Sequence, residues 1–580
     1  MKRIFLIIAI ALYTTSCVDY LDKSPDATGM TEDNVFTNYL NFRQFEDRMY
    51  KDMHDYLADY DYTFIAAFCD EGYTESVQWE TLPKAQNGDW LGCYNAGQAL
   101  QFTNVWNSWQ SVRIANISLE ELPKLKGVAT DDEIKLLKGQ AHFMRAWYYY
   151  EFLKRQGGMP YITKSLKGTD VFALPRLSYE ETAMKIAADC DSAMALLPKK
   201  WDDANLGRPT IGAAMAVKAS VLLFSASPTN SPDDQAKWTK AAQASWDLIN
   251  YSESNGIYKL VPCNSTAKVT YKAPSGIETI SYTGGYDSIF NYVPYNDEII
   301  WENFGGMQNG NRYTTFTVPS LASGGIIQGF SPTKNIVDMF ETKNGLSIKD
   351  DATYLDQNPF INRDPRFYSN ILFNQERWTS KTDLYLELFN GGKERNGKSH
   401  YSYTGFLSRK FWVNNVDQFS KAQHPISHSI YFRYADILLQ YAEAANELGG
   451  PNYKLAGANL TALEAVNRIR ARVKMPGVDS RYLSSKETFR ERIKNERAIE
   501  LYLEGKRFFD LSRWGDASKK EHKELYGMDI AADASKPTGY TFSQSPSPIF
   551  TLTFDQKHYR WPVRLSDATM FYEFKQNPGW

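Results

Sequence analysis

The chain has 580 residues, of which 23% are charged, and its formal net charge is −3 at pH 7. This balance gives no basic surface for nucleic acid, and the length exceeds what one compact core usually accommodates. The mean hydropathy of −0.47 excludes a protein built mainly from membrane-spanning segments.

The N-terminus has the pattern of a bacterial lipoprotein signal. Two basic residues precede an apolar run over residues 4–13. Ten residues are too few to cross a bilayer as a helix, so the run predicts the core of a signal peptide. Small residues at 14–16 then precede Cys17, whose thiol accepts the lipid in such proteins. We therefore predict that residues 1–16 are removed and that Cys17 anchors the chain to a membrane; an ordinary signal peptide followed by a chance cysteine is the alternative.

Apolar residues at helical spacing predict amphipathic helices throughout the N-terminal part of the mature chain. Capping boxes begin two of them, at residues 130–133 and 178–181. Gly157-Gly158 ends the first of these two helices. Further helices are predicted over residues 32–57, 98–122, 213–227 and 234–251.

The middle of the chain has a different composition. Residues 252–430 are rich in Gly, Asn, Tyr, Ser and Pro, which predicts a loop-rich insertion with small sheets. Residues 299–302 are a candidate strand. Binding residues concentrate in loops that a rigid scaffold holds. Helices resume with predictions over residues 430–448, 455–473 and 484–504.

The predicted fold is therefore mainly α, with tetratricopeptide-like helix pairs forming a scaffold and a large loop-rich insertion containing short β-strands. An irregular helical bundle is the alternative. We divide the chain into a signal peptide (1–16), an N-terminal helical region (17–251), the insertion (252–430) and a C-terminal helical region with its tail (431–580).

The cysteines point to no metal or redox motif. The four after Cys17 show no C-x-x-C spacing, which argues against zinc and thioredoxin-like chemistry. They are Cys69, Cys93, Cys190 and Cys263. Outside the cytoplasm, a disulfide between Cys69 and Cys93 is one alternative that the sequence leaves open.

Two motifs have both a catalytic and a structural interpretation. Residues 392–399 satisfy the G-x-x-x-x-G-K-S pattern of a phosphate-binding loop, but the following residues do not start a helix, so we predict a polar turn between two strands. Glu496 and Glu500 resemble the carboxylate pair of a glycosidase. We predict instead a partly buried ion network with nearby arginines. His424 and His428 have Pro425 between them, which disfavours a helical metal site.

Aromatic residues in polar loops are the candidate ligand contacts, because a flat ring covers the apolar face of a sugar while polar groups bind its rim. The chain has 14 Trp and 37 Tyr. Those in helical signatures and Trp301, in the candidate strand, are predicted to be structural. The candidates are Asp70, Trp79, Trp90, Tyr94, Tyr282, Tyr286, Tyr292, Tyr295 and Tyr313.

Segments in both halves of the chain, taken in order, resemble the signatures of the SusD/RagB-like family of outer-membrane nutrient-binding lipoproteins. The resemblance extends over nearly the whole mature chain. The matching segments are LKGQAHFMRAWYYY at 137–150, GRPT at 207–210, NRDPRFY at 362–368, YFRYADILL at 431–439, NERAIE at 495–500, EGKRFFD at 504–510 and QNPGW at 576–580.

The resemblance implies a helical fold with four tetratricopeptide-like pairs and a partner, a SusC-like TonB-dependent transporter. Members of this family cover the transporter barrel and capture glycan, or sometimes peptide, for import. Asp19 and Asp22 resemble the acidic signal that directs such lipoproteins to the cell surface. Members with a known glycan site build it from aromatic loops in two regions similar to those named above.

We therefore expect a lipid-anchored outer-membrane protein that faces the cell exterior, binds glycan and delivers it to a SusC-like transporter. The expectation includes no enzymatic activity, no cofactor, no metal and no nucleic acid. A peptide-binding member of the same family and a surface glycoside hydrolase are the alternatives.

Overall fold

Helices form most of the regular structure in the computed structural model. It describes residues 35–54, 56, 65–74, 80–95, 100–167, 173–290, 296–303, 330–378, 383–395, 402–411, 429–571 and 573–580. The helices are α1 (Tyr39–Asp47), α2 (Thr81–Gln86), α3 (Trp90–Cys93), α4 (Leu100–Asn107), α5 (Trp109–Glu121), α6 (Asp131–Gln156), α7 (Tyr179–Met194), α8 (Ile211–Ala226), α9 (Gln235–Asn255), α10 (Lys334–Met339), α11 (Pro365–Asn370), α12 (Tyr434–Gly449), α13 (Ala462–Arg472), α14 (Lys486–Glu500), α15 (Arg507–Trp514), α16 (Lys520–Lys523) and α17 (Leu565–Met570).

The long helices pack in chain order, which gives the scaffold of helix pairs. Helix α5 packs on α6, α6 on α7, α7 on α8 and α8 on α9. Helix α9 then packs on α12, although 178 residues separate their ends, and α12 packs on α13 and α14. The predicted mainly α fold with tetratricopeptide-like pairs is confirmed, and the insertion leaves the stack of helices continuous.

The two predicted capping boxes begin α6 and α7. The Thr130 backbone N–H donates to Glu133 (2.8 Å), and the Ser178 backbone N–H donates to Glu181 (2.8 Å). Helix α6 ends at Gly157, whose φ of 86° favours glycine. Local sequence therefore sets both ends of the longest helix.

Several predicted helices differ from the structure in length, and the one predicted over residues 98–122 is divided into α4 and α5. Helix α13 begins at Ala462 rather than at 455, because Thr461 and Glu464 form a further capping box. Residues 430–433 belong to a strand that precedes α12. Within the described part of the first predicted helix, α1 is followed by the 3-10 turn Arg48–Asp52. Local capping and strand pairing override helical periodicity at these ends.

Small antiparallel sheets, together with short helices, make up the regular structure of the insertion and the C-terminal tail, and β1 of the N-terminal region joins one of them. The pairs are β1 with β5, β2 with β3, β4 with β8, β6 with β7, β9 with β12 and β10 with β11. The strands are β1 (Gly72–Tyr73), β2 (Ser265–Ala273), β3 (Gly276–Gly284), β4 (Ile299–Asn303), β5 (Ser331–Pro332), β6 (Ile371–Leu372), β7 (Leu407–Ser408), β8 (Ser429–Arg433), β9 (Glu524–Leu525), β10 (Met528–Ala532), β11 (Tyr540–Gln544) and β12 (Phe550–Thr551).

The predicted strand at residues 299–302 is β4, and it joins the insertion to the helical scaffold. It pairs with β8, which leads directly into α12. Trp301 on β4 is fully buried, with its ring 4.8 Å from the rings of Phe143, Trp147 and Tyr431. The structural role predicted for Trp301 is confirmed.

A buried ion network fixes the insertion to the C-terminal helices. Arg366 of α11 contacts Glu496 (2.6 Å) and Glu500 (2.9 Å) of α14. Arg470 of α13 contacts Glu496 from another side (3.0 Å). The side chains of these groups are at most 2% exposed. The prediction that Glu496 and Glu500 belong to an ion network is confirmed.

None of the helices within the described ranges is long and apolar enough to cross a membrane.

Candidate functional site

Four of the predicted contact residues lie in the interior. Trp90 is 2% exposed, and its ring is surrounded by aromatic side chains, including Trp561 at 5.4 Å and Trp580 at 5.9 Å. Tyr94 and Tyr286 donate hydrogen bonds to backbone carbonyls, at Pro562 (2.8 Å) and Glu500 (2.6 Å) respectively. These rings have no free face for a sugar. Their burial therefore does not fit the prediction that Trp90, Tyr94 and Tyr286 contact the ligand.

Asp70 is the fourth buried residue, with 2% of its surface exposed. Its carboxylate accepts two hydrogen bonds from Arg507 (2.9 and 2.8 Å) and one from His522 (2.7 Å). These donors hold the pKa of Asp70 below its ordinary range against the opposing effect of burial. Asp70 is therefore an internal anchor for Arg507 and His522 rather than a direct contact for ligand.

Tyr282 is partly exposed and keeps its place as a candidate. It lies on β3, and its ring packs 5.1 Å from that of Tyr368. The remaining candidates, together with the lipidation residue, lie outside the described residues. They are Trp79, Tyr292, Tyr295, Tyr313 and Cys17.

A group of three aromatic side chains, the aromatic triad, lies at the small sheets β1–β5 and β9–β12 and reaches the surface. Tyr73 of β1 packs edge-on against Tyr403, with 5.2 Å between ring centroids. The ring of Phe550, from β12, stacks on the other side of Tyr73 at 5.3 Å. Tyr403 and Phe550 are partly exposed, whereas Tyr73 between them is 5% exposed. The triad thus presents two aromatic rings on a buried central one.

Backbone pairing positions the triad. Tyr73 pairs with Ser331 of β5, and the Tyr403 backbone N–H donates to the Ser331 hydroxyl (3.1 Å). Phe550 is opposite Leu525 in the β9–β12 pair. Strand pairing therefore holds Tyr73 and Phe550, and a hydrogen bond to Ser331 holds Tyr403, which favours a preformed surface.

Polar groups flank Leu525, the residue of β9 that pairs with Phe550. Glu524 lies beside Leu525 on β9 and accepts a hydrogen bond from the Tyr526 hydroxyl (2.7 Å). The Asn335 side chain donates to the backbone carbonyl of Glu524 (2.9 Å). Glu524, Tyr526 and Asn335 are partly exposed. This part of the structure therefore carries partly exposed aromatic rings and hydrogen-bonding groups, the two kinds of group that sugar recognition uses.

Two of the predicted contacts, Trp79 and Tyr313, lie on segments whose ends are close in sequence to residues of the triad region. Trp79 follows Tyr73 by six positions, in a segment that begins after residue 74 and lies outside the described residues. The segment that contains Tyr313 ends two positions before Ser331. A third such segment ends two positions before Tyr403. Chain connectivity therefore brings the ends of these segments to one small region of the structure.

The sequence contained a signal for the triad that the prediction did not use. Tyr403 lies in a polar stretch rich in Ser, Thr and Gly, which is the criterion that selected the other candidates. Phe550 follows a Pro-Ser-Pro run of the same kind. Tyr73 is adjacent to the Asp70 region that the prediction had already named. What the sequence lacks is the pairing that brings these three distant residues together.

The described parts of the glycine-rich motif form a turn. The Gly392 backbone N–H donates to Phe389 (2.8 Å), and that of Arg395 donates to Gly392 (3.1 Å). Residues 396–399 lie outside the described residues. The predicted turn is confirmed over residues 392–395; the helix of a phosphate-binding loop would start in residues 396–399, outside this range.

Cys69 and Cys93 are buried free thiols, so the structure does not contain the disulfide that the sequence left open. The Cys93 thiol donates to the backbone carbonyl of Asp89 (3.3 Å). Burial raises the pKa of Cys93 to about 12. Within the described residues, no group of three or more metal-ligating side chains converges; His424 and His428 lie outside them.

Glu71 is a buried acid directly before the β1 strand of the triad. One carboxyl oxygen accepts a hydrogen bond from the Leu503 backbone N–H (2.8 Å), and the other has no partner among the described residues. Burial raises the pKa of Glu71 to about 8, outweighing the opposing effects of the Leu503 N–H and Arg507. The folded protein therefore retains a proton that the unfolded chain loses at a lower pH.

We predict that Glu71→Gln removes a pH dependence of stability. Between the ordinary pKa of 4.5 and the folded pKa of about 8, the free energy of unfolding of the wild type falls as pH rises, because only the folded state holds the proton. The free energy of unfolding of the variant, minus that of the wild type, should rise by about 1–3 kcal/mol between pH 4.5 and about pH 8. Urea unfolding at several pH values measures it. A difference that does not change with pH would contradict a protonated Glu71.

Comparison with protein families agrees with the fold. Residues 297–580 match the model of the SusD family, and residues 19–223 match a model described as starch-binding associating with outer membrane. The two matches are consecutive and together cover most of the chain. A helical scaffold with an insertion is thus matched by models of SusD-like proteins, one of which is described as associating with the outer membrane. The chain is a member of the SusD/RagB family.

Individual relatives are distant in sequence but similar over most of their length. The SusD-like protein P25 of Formosa agariphila is 24% identical over 460 residues, which are 73% of this chain and 74% of that protein. A SusD-like protein from Bacteroides fragilis superposes with a TM-score of 0.73 at 23% identity, covering 96% of this chain and 100% of that chain. For surface glycan-binding protein A from Bacteroides uniformis, the TM-score is 0.58 at 18% identity, with 93% and 99% covered. The two structural likenesses establish the shared fold.

Proposed function

We propose that this protein is a cell-surface lipoprotein that binds glycan, as oligo- or polysaccharide, and delivers it to a SusC-like TonB-dependent transporter of the outer membrane. The observation that carries the proposal is the aromatic triad, in which Tyr403 and Phe550 are partly exposed and Phe550 pairs with a strand, β9, that also carries the partly exposed Glu524. Membership of the SusD/RagB family supports the same function.

In this proposal, the triad forms the base of the glycan site. Sugar rings have apolar C–H faces, which an exposed aromatic ring covers, and hydroxyl rims, which carboxylate and amide groups bind. Trp79 and Tyr313, on segments whose ends adjoin the triad, are proposed to add further rings. Tyr282, Tyr292 and Tyr295 are proposed as contacts for a longer glycan.

Binding without catalysis needs no activated carboxylate pair. The pair that most resembled one, Glu496 and Glu500, is engaged by Arg366, Arg433, Arg470 and Arg472 inside the protein. We therefore propose that the protein releases its glycan unchanged to the transporter. The anchor through Cys17 and the orientation toward the cell exterior belong to the same proposal, and the family description of association with the outer membrane supports them.

Affinity electrophoresis tests this function. The lipid-free mature chain, residues 18–580, is run in gels that contain plant, host or microbial polysaccharides, with a non-binding protein as the mobility reference. We expect one class of polysaccharide to slow the protein. The length of that polysaccharide should be unchanged after incubation with the protein. Slowing by no polysaccharide, together with binding to peptides, would favour the peptide-binding alternative. Shortening of the polysaccharide would favour the hydrolase.

A further inference from the structure

A second concave surface lies on the C-terminal helices, outside the aromatic triad. It is a cleft of about 370 Å³ between α14, α15 and the segment that contains α16. This volume falls in the range of ~300–1,000 Å³ that is typical of small-molecule sites. The cleft is formed entirely by residues that the structure describes, and the proposed function does not use it.

The wall of the cleft combines apolar and polar side chains. Trp514, Leu511 and Met339 supply apolar surface, and Trp514 is 8% exposed. Thr488 and Asn495 of α14 supply polar groups along the same wall. This combination resembles an amphipathic ligand pocket more than a packing defect, which is usually small and apolar.

The charges around the cleft are already paired. Lys494 contacts Asp516 (2.7 Å) and Glu491 (3.0 Å), and Arg492 contacts Glu341 (3.0 Å). A charged ligand would have to break one of these ion pairs, which is costly where the groups are shielded from water. A neutral ligand could instead form hydrogen bonds with the atoms that these ion pairs do not use.

Two groups of the cleft retain hydrogen-bonding capacity in a fixed orientation. The buried Asp70 carboxylate contacts Nδ1 of His522 (2.7 Å), so Nδ1 carries a proton and Nε2 is the ring nitrogen left for a ligand. The Asn495 side chain donates through Nδ2 to the Met339 carbonyl (3.1 Å), which leaves its Oδ1 as an acceptor. In the described part of the chain, His522 Nε2 and Asn495 Oδ1 have no hydrogen-bond donor. Both atoms suit the hydroxyl groups of a neutral ligand.

We infer that this cleft is a second saccharide site, which takes one or two neutral sugar units of the same glycan. The inference rests on the proposed function, because it assigns a further subsite to a glycan-binding protein. Two sites on one body increase the retention of a polymer through effective concentration, even when each site alone is weak. A free monosaccharide gains nothing from this effect.

Closing the cleft tests the inference. Thr488→Trp places a large side chain into the cleft from the first turn of α14. Glu487→Trp, the adjacent exposed position that does not line the cleft, is the matched control. Both variants are run by affinity electrophoresis against amylopectin, laminarin, xylan and mannan, alone and combined with the double substitution Tyr403→Ala and Phe550→Ala. Circular dichroism checks that each variant is folded.

We expect Thr488→Trp to weaken polysaccharide binding at least threefold and Glu487→Trp to leave it unchanged. Residual binding by the triad double variant should disappear when Thr488→Trp is added. Equal binding by the two tryptophan variants would overturn the second site and leave the proposed function intact. Binding that depends on Thr488 and not on the triad would support the cleft and contradict the proposed triad site. Absence of binding to all four polysaccharides by the wild type would overturn the second site.

Discussion

Glu500→Gln is expected to lower the free energy of unfolding of the lipid-free chain by about 3–5 kcal/mol, the usual cost of removing one member of a buried ion network. One carboxylate oxygen of Glu500 accepts from Arg433 (2.7 Å) and Arg472 (2.5 Å), and the other accepts from Arg366 (2.9 Å). The arginines hold the pKa of Glu500 below its ordinary range. Glutamine fills the same space but leaves these cations without the negative charge that stabilises them.

Glu487→Gln provides the matched control on the same helix. Glu487 lies in the first turn of α14 and is exposed, so the same change of functional group should alter stability by no more than about 0.5 kcal/mol. Urea unfolding of the two variants and the wild type measures both values. A loss below about 1 kcal/mol for Glu500→Gln would show that the network does not hold the insertion on the helices.

The same network predicts loss of stability in acid. Because the folded pKa of Glu500 lies below its ordinary value, its contribution is fully present above about pH 4.5 and is lost as pH falls toward the folded pKa. Glu151, whose pKa is lowered to about 2 by Lys154 and Arg155, acts in the same direction. Its carboxylate lies at the C-terminal end of α6, so acid weakens the helical stack as well as its junction with the insertion.

The second large effect is expected at the aromatic triad. Replacing Tyr403 and Phe550 together by alanine should lower affinity for the bound glycan by about tenfold or more, since two ring contacts contribute about 1–3 kcal/mol. Both rings are partly exposed, so their loss should leave most of the core intact. Isothermal titration calorimetry with the polysaccharide identified by electrophoresis measures the change.

Trp201→Ala is the control for the loss of an aromatic ring. Trp201 is partly buried between α7 and α8, where its indole N–H donates to the Pro209 carbonyl (2.8 Å). We expect this variant to bind glycan with wild-type affinity. Equal affinity of the double variant and the wild type would mean that the glycan does not contact the triad.

Much of the scaffold follows from short-range signals in the sequence. The capping boxes at Thr130 and Ser178 act within one turn of helix, and Gly157 ends α6 through its own backbone conformation. Apolar periodicity identified the faces that pack in the stack. These determinants are local, so one sequence is enough to predict them.

The candidate site was less accessible to sequence reasoning, because burial and pairing depend on distant residues. Trp90 lies in a polar segment and yet is covered by Trp561 and Trp580 from the C-terminal tail. Tyr73 and Tyr403 meet because Tyr73 pairs with Ser331, whose hydroxyl accepts a hydrogen bond from the Tyr403 backbone N–H. The charge pattern of α14 was more informative, since two carboxylates on an apolar face need cationic partners wherever those lie in the sequence.

The proposed function requires that a glycan lies on the surface formed by Tyr73, Tyr403 and Phe550. A crystal structure of the lipid-free chain with an oligosaccharide from the polysaccharide that slows it in electrophoresis shows whether the sugar lies there. We predict electron density for a sugar ring in contact with Tyr403 or Phe550, with hydroxyls within hydrogen-bonding distance of Glu524 or Asn335. Density for the sugar at another surface, with the triad rings unoccupied, would contradict the claim.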